Sequence, residues 1–394
     1  MNKVVVIAIN SIFGKPSNIG FRPFQVIDNI SQNDISSIYI VARGVFKKLF
    51  KSKVTHLFSM GIFGHIPRLM NAYRIYIDQS FDLRKWDIAL FEYFSIRTLK
   101  KILQTHPDDI VLLHCYEYAP KLVKYAKQQG VTVIQDIAIA PGKTSLKLHE
   151  NNLMHFKDVS VIRRQIDVEY KLFSYADHII APSVFVMNEL LEYDVSSDKI
   201  SVIPFGVLYD EMYAIPSSVL QNESVDFCFA GLINSRKGID WLVKAFSDPV
   251  FKNDKLHLCG RVFKEQKNLL AQCNLTNILT PGFVDTSIYM RTCDVYVFPS
   301  LMEGSSKSIY EAMASGLPVI ATENSGSIIR DGVDGFVIEA GNAEILKEKM
   351  LFFKENPDKI VEMGLSAQKY VRGFSWGKYS NNVINTYKRD MKNS

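Results

Sequence analysis

Cysteine is scarce in this chain: the five present (Cys115, Cys228, Cys259, Cys273 and Cys293) are odd in number, far apart and mostly set in apolar runs such as Asp226-Phe-Cys-Phe-Ala. This excludes a disulfide framework and any recognisable metal-ligand spacing, and points to reduced core thiols in a reducing compartment. Charge of one sign is also in short supply. A net charge of +5 suits an anionic ligand or surface but is too small to call for nucleic acid, and no nucleic-acid-binding motif stands out. Apolar runs are short: Val4–Ile9 falls well below the ~20 residues that cross a bilayer, and no signal-peptide cleavage pattern follows it. A cytoplasmic protein is expected. Internal repeats and low-complexity tracts are missing. So is a Gly-x-Gly-x-x-Gly fingerprint after the first strand, which argues against a dinucleotide-binding dehydrogenase.

What is present suits a globular chain, 47% hydrophobic and 22% charged. A length of 394 residues exceeds one ordinary core and fits two domains with a cleft between them. Short Val/Ile-rich segments alternate with longer amphipathic ones in both halves, the pattern of parallel sheets covered by helices. The expected fold class is α/β, with two Rossmann-like domains. Strands are expected at Val4–Ile9, Ser37–Val41, Ile110–His114, Val131–Gln135 and His178–Ala181 in the first half. In the second they are expected at Val202–Ile203, Asp226–Ala230, Lys255–Leu258, Val295–Phe298 and Pro318–Ala321. From Pro204 to about Ser224 helical periodicity is lost and Pro216, Ser217, Ser218 and Asn222 accumulate, so the linker belongs there. The division is 1–205, 206–375, and a C-terminal helix over 376–394 able to pack back on the first domain.

One stretch is the most specific: Phe298-Pro-Ser-Leu-Met-Glu303-Gly-Ser-Ser-Lys-Ser-Ile-Tyr-Glu311-Ala-Met-Ala-Ser-Gly-Leu-Pro-Val-Ile-Ala. A strand ends at Phe298, a loop carries Glu303 and Gly304, and a helix starts near Ser305–Ser308, where hydroxyls can cap free N–H groups. The start of a helix at the carboxyl end of a parallel strand is a place for phosphate. Ser305, Ser306 and Lys307 would meet it there, and Gly304 would let the ligand approach the backbone. Upstream, Gly231-Leu-Ile-Asn-Ser-Arg236-Lys237-Gly238 sets two cations between a strand and a helix, suited to clamping a diphosphate.

The first of these segments resembles the Glu-x7-Glu signature of the retaining family-four (group 1) glycosyltransferases, a GT-B group that uses nucleotide-sugar donors. The resemblance extends to the flanking Pro-Ser, Glu-Gly and Glu-Ala-Met-Ala-x-Gly-x-Pro-Val-Ile-Ala. It implies that Glu303 contacts the donor sugar and Glu311 the ribose hydroxyls. The second segment is similar to the family's Gly-Arg-Leu-x-x-x-Lys-Gly, with Lys237 and Gly238 in register but Leu232 where an Arg often binds phosphate. Arg236 either supplies that charge or points to solvent. Pro281-Gly-Phe283-Val284 looks like the family's Gly-x-Val loop at the nucleobase, or is an ordinary turn. The resemblance implies a retaining sugar transfer from a nucleoside-diphosphate sugar to a glycan or lipid-linked glycan, as in surface polysaccharide synthesis. The nucleotide sugar is then a substrate, and neither a cofactor nor a metal is called for. A catalytically weak relative that binds nucleotide sugar or glycan as an accessory protein is the alternative.

The N-terminal half should hold the acceptor and carries less specific signals. Gly14 lies in Asn10-Ser-Ile-Phe-Gly-Lys-Pro-Ser-Asn-Ile-Gly20, where the family's glycine-rich loop approaches donor and acceptor. Many relatives have a His after the strand Val131–Gln135. Here Asp136 follows, a candidate for bonding an acceptor hydroxyl or taking its proton. His114 is either a cleft residue or a satisfied strand-end histidine. Residues 43–53 put Phe46, Leu49 and Phe50 at helical spacing beside lysines, a face that suits peripheral contact with an anionic membrane as well as inward packing.

Overall fold

The computed structural model describes residues 1–392 apart from 16–17, 31–34, 47–55, 62–82, 157, 208–223 and 274–275. The first sheet comprises β1 (Lys3–Phe13), β2 (Ser37–Val45), β3 (His56–Ser59), β4 (Ile110–Cys115), β5 (Thr132–Asp136), β6 (His178–Ala181) and β7 (Ile200–Val202). The second comprises β8 (Asp226–Ala230), β9 (Lys255–Cys259), β10 (Ile278–Gly282), β11 (Val295–Phe298), β12 (Val319–Thr322) and β13 (Gly335–Ile338). Their orders are β3-β2-β1-β4-β5-β6-β7 and β10-β9-β8-β11-β12-β13, and the pairings given for both are parallel. The central strands are buried on both faces, so Val4–Ile9 and Val295–Phe298 read as unbroken apolar runs. In each sheet the order reverses beside the first strand, β1 or β8, and opens a crevice at the carboxyl ends there.

Three strands escaped the sequence pattern. β3 is four residues long and largely exposed, β10 carries Pro281 and Gly282 on a mostly exposed edge, and β13 is a short edge strand. β3 and β10 lack the apolar periodicity that burial would impose, and β13, though apolar and partly buried, is only four residues long. The expected strand Val202–Ile203 belongs to the first sheet, not the second: Val202 pairs with Ala181, and Ile203 N donates to Ala181 O at 2.8 Å.

The chain leaves the first domain through Pro204–Val207, beside the segment by which it returns. Val207 N donates to Phe374 O at 3.0 Å, and a Cβ on Gly206 would stand 2.4 Å from Trp376 N. Ser375 caps the last helix, Trp376–Asp390, by accepting from Lys378 N at 3.1 Å. This helix lies on the first domain against the helix Phe21–Asn29. Trp376 meets Phe21 edge-on at 5.3 Å, and Ser380 Oγ donates to Gln25 O at 2.8 Å. Burying an aromatic ring of that size contributes about 2–3 kcal/mol. Among the described residues, no helix is long and apolar enough to cross a membrane.

Candidate functional site

β8 ends at Ala230, and after Gly231 the chain makes a short turn, Ser235–Lys237, capped by Asn234 Oδ1 accepting from Lys237 N at 3.1 Å. Gly238 follows with φ 72°, and a Cβ there would lie 1.9 Å from Pro299 O. Only glycine permits that contact, which brings the turn against the loop after β11. The two segments are then laced together: Leu301 N donates to Arg236 O at 2.9 Å, and Ser300 Oγ lies 3.2 Å from the same oxygen. Their side chains meet at Glu303. Its Oε1 receives Arg236 Nη1 at 2.5 Å, Lys237 Nζ at 2.5 Å and Ser300 Oγ at 3.0 Å. Arg236 also donates to Met302 O at 2.6 Å, so its guanidinium is turned to the loop while staying partly exposed.

Two cations against one carboxylate leave this cluster net positive. Lys237 is mostly buried over the Phe298 ring, 4.7 Å from its centroid. Burial pushes its pKa down, with Glu303 pulling the other way. The expected hydroxyl caps on the next helix, Lys307–Ala314, are not made. Ser306 Oγ pairs with Ser308 Oγ at 3.0 Å and Ser305 Oγ with Tyr310 OH at 2.8 Å, so the hydroxyls satisfy one another rather than the helix amides. A helix start without side-chain caps keeps its N–H groups for an incoming anion. Along the same helix, Glu311 accepts from Thr286 Oγ1 at 3.4 Å and lies 3.8 Å from Lys307 Nζ. Burial raises its pKa, opposed by Lys307.

These pieces line one pocket of about 480 Å³. Gly231, Lys237, Glu303 and Ser305–Lys307 form one part of its wall, and Glu311, Phe283 and Val284 another. Phe283 is 83% exposed, an apolar ring presented at the pocket. Leu232 is also on the wall, and Arg236 is brought in through its bond to Glu303. Thr286 and Ser300 were not singled out in the sequence. Isolated hydroxyls have no pattern of their own, and only their proximity to Glu311 and Glu303 marks them.

Other expectations are corrected. Gly304 is pressed against the first domain and does not line the pocket: a Cβ there would stand 2.1 Å from Ala138 O. Asp136 is not presented to an acceptor. Its side chain is fully buried, ion-paired with Arg22, and 3.4 Å from His114 Nε2. His114 is likewise enclosed, its Nδ1 2.6 Å from Tyr387 OH, and burial lowers its pKa against the pull of Asp136. The reason is the C-terminal helix, which covers these strand ends. Gly14 makes a turn at the end of β1, its N–H donating to Gly20 O at 2.9 Å, apart from the pocket wall. Of the basic stretch 43–53, residues 47–53 lie outside the described residues, as does most of the expected linker, 208–223. Arg43 is paired with Asp87 and bonds Asn10 Oδ1 at 3.0 Å.

Comparison with known proteins agrees with this geometry. Residues 224–356, which carry the pocket, match the family described as Glycosyl transferases group 1. The chain is 31% identical over 295 residues to the glycosyltransferase MJ1178 of Methanocaldococcus jannaschii, a span of 70% of this chain and 80% of that one. It is 26% identical over 229 residues to the capsular polysaccharide biosynthesis glycosyltransferase CapM of Staphylococcus aureus, covering 53% and 59% of the two. In fold it is similar to sucrose-phosphate synthase of Thermosynechococcus elongatus (TM-score 0.72, 16% identity, all of both chains). It is also similar to HepE of Anabaena, solved with UDP (TM-score 0.65, 16% identity, 98% and 99% covered). With two facing parallel sheets, the glutamate pair on the second and a relative of this similarity along most of its length, the chain belongs to the group 1 glycosyltransferases of GT-B fold and is a transferase.

Proposed function

We propose that the protein transfers a sugar, with retention of anomeric configuration, from a nucleoside-diphosphate sugar to a glycan or lipid-linked glycan, in the assembly of a surface polysaccharide. The observation that carries this reading is the convergence of Arg236 and Lys237 on Glu303 at the wall of a pocket that also holds the start of the Lys307–Ala314 helix. The diphosphate lies against Lys237, Arg236 and the amides of Ser305–Lys307. Glu311 takes the ribose hydroxyls, and Phe283 with Val284 flanks the base. Glu303 faces the sugar. As the bond from the anomeric carbon to the diphosphate breaks, negative charge grows on the leaving oxygens. The fixed cations and helix amides stabilise it more than they stabilise the ground state, each donor contributing roughly 3 kcal/mol in comparable oxyanion sites. Diphosphate neutralisation in this scheme needs no metal, and activity is expected to survive EDTA.

HepE has been solved with UDP-glucose, and CapM is a capsular polysaccharide enzyme, which makes uridine donors the first to try. A lipid-linked acceptor would bring the chain to the cytoplasmic face of a membrane. The test is a thermal-shift screen with UDP, GDP, ADP, CMP and their sugars, since a ligand of the folded state raises Tm by mass action. Stabilisation by one nucleoside diphosphate, abolished in Lys237→Ala, is the expected result. Stabilisation by none would favour an accessory protein that binds glycan alone.

A further inference from the structure

The Glu303–Gly304 turn belongs to the second domain in sequence, yet its backbone is bonded to the first. Ser183 Oγ donates to Gly304 O at 2.6 Å, and Ala140 N donates to Glu303 O at 3.3 Å. On its own domain's side, Glu303 N donates to Asn324 O at 2.9 Å, and a Cβ on Gly326 would meet Gly304 O at 2.1 Å and Ser183 Oγ at 2.7 Å. The turn is held between the two. Just behind it, Leu301 and Met302 pack into the apolar core of the first domain. Ser183 is buried, 5% exposed, and its oxygen has a second role. It accepts from Val186 N at 3.2 Å and so caps the helix Val184–Leu191. The lone pair serves that helix and the single proton serves the other domain's turn.

We infer that Ser183 is a positioning residue for the donor site: by donating to Gly304 O from across the domain boundary it fixes the turn that aims Glu303 at Arg236, Lys237 and the donor. This rests on the reading of Glu303 as a donor-site residue. Docking of the first domain and alignment of the cation–carboxylate cluster are then a single event. A donor bound while the domains are apart meets a site with one wall unset.

The test uses an isosteric pair that separates the two roles of the hydroxyl. Ser183→Asp keeps a cap acceptor for Val186 N but turns a lone pair toward Gly304 O. Ser183→Asn offers both an acceptor and an N–H donor, and Ser183→Ala removes both. Hydrogen exchange on the free full-length chain is read over residues 301–306 and, separately, over 184–191. Turnover is read as UDP release from UDP-glucose, with kcat and donor KM resolved. Expected is a roughly tenfold faster exchange of 301–306 and a roughly tenfold loss of donor kcat/KM in the Ala and Asp variants, with recovery in Asn. Faster exchange of 184–191 is expected in Ala alone. Wild-type exchange of 301–306 in the Ala and Asp variants, or an Asn variant no better than Asp, would overturn the inference. The exchange measurement needs no ligand, so it decides the coupling whatever the donor. Full turnover in Glu303→Gln would instead remove the site reading and leave the exchange result standing.

Discussion

The two domains end their strands alike and use the polar residues there in opposite ways. Beyond β8 and β11, Arg236, Lys237 and Glu303 share one cluster on a pocket wall, each partly reachable from solvent. Beyond β4 and β5, His114 and Asp136 are sealed. Arg22 closes on Asp136, donates to Tyr379 OH at 3.4 Å, and lies over the rings of Phe205 and Tyr116 at 4.6 and 5.3 Å. Burial works against the Arg22 charge, but Asp136 together with Tyr379 and Tyr116 more than offsets it and holds the guanidinium protonated. The helix Trp376–Asp390 completes the enclosure with Tyr379 and Tyr387. A charged residue at the end of a parallel strand is therefore a site residue only where no later element covers it. At the first sheet the last helix does so, and Arg22, held by Asp136, bonds that helix through Tyr379.

The largest expected effect breaks the donor side of this comparison. Glu303→Gln or Lys237→Ala should cut turnover about 10²–10³-fold, with circular dichroism and Tm close to wild type; near-native turnover in a folded variant would mean the cluster is structural, like Arg22 and Asp136. The next tests the sealed side. Removing one member of a buried pair costs about 3–5 kcal/mol, so Arg22→Ala should lower Tm by several degrees or more. Asp136→Asn should lower it too while the folded fraction keeps its turnover within a few-fold. Lost turnover at unchanged Tm in Asp136→Asn would return that residue to the active site.

Smaller effects sharpen the contrast through pH. Lys237 titrates below an ordinary lysine in the free enzyme, so donor kcat/KM should fall on the alkaline side earlier than a lysine normally would cause. Lys237→Arg should move that fall upward, since guanidinium keeps its charge, at roughly tenfold cost near neutrality. The smallest effect lies at the opposite end of the second sheet. Asp294, pushed up to about 6 by burial, accepts from Asp226 N at 2.7 Å. A carboxyl raised in the folded state favours folding while protonated, and that contribution is lost as pH rises from about 4 through about 6. Asp294→Asn keeps the acceptor, so it should flatten Tm across that window and raise stability at pH 7.5 by about 1 kcal/mol, after allowance for partial solvation. A mutant profile parallel to wild type would assign the slope to other groups.

The fold was legible wherever burial wrote a pattern. The central strands and the motif Phe298–Ala321 were placed closely, while β3 and β10 were missed because exposed edges need no apolar period and β13 because four residues are too few to show one. The pocket was legible because most of its lining sits in three short segments around 231–238, 283–286 and 303–311. Arg236 was ambiguous in the sequence, since a loop arginine takes its direction from whichever carboxylate the fold brings near, here Glu303. Ser183 carries no local signal of its contact with Gly304, its partner being 121 residues away.

By itself the sequence determined two parallel-sheet domains and the short segments that line the pocket of the second, because strand burial and helix starts are local and repeat along the chain. Tertiary structure alone decided which polar residues remain available. Whether Asp136 meets an acceptor or Arg22, and whether Gly304 admits a ligand or the Ala138 backbone, depends on packing between segments more than a hundred residues apart. No local pattern carries that information: an ion pair or close contact is fixed by the positions of both partners, and the second position exists only once the chain has folded.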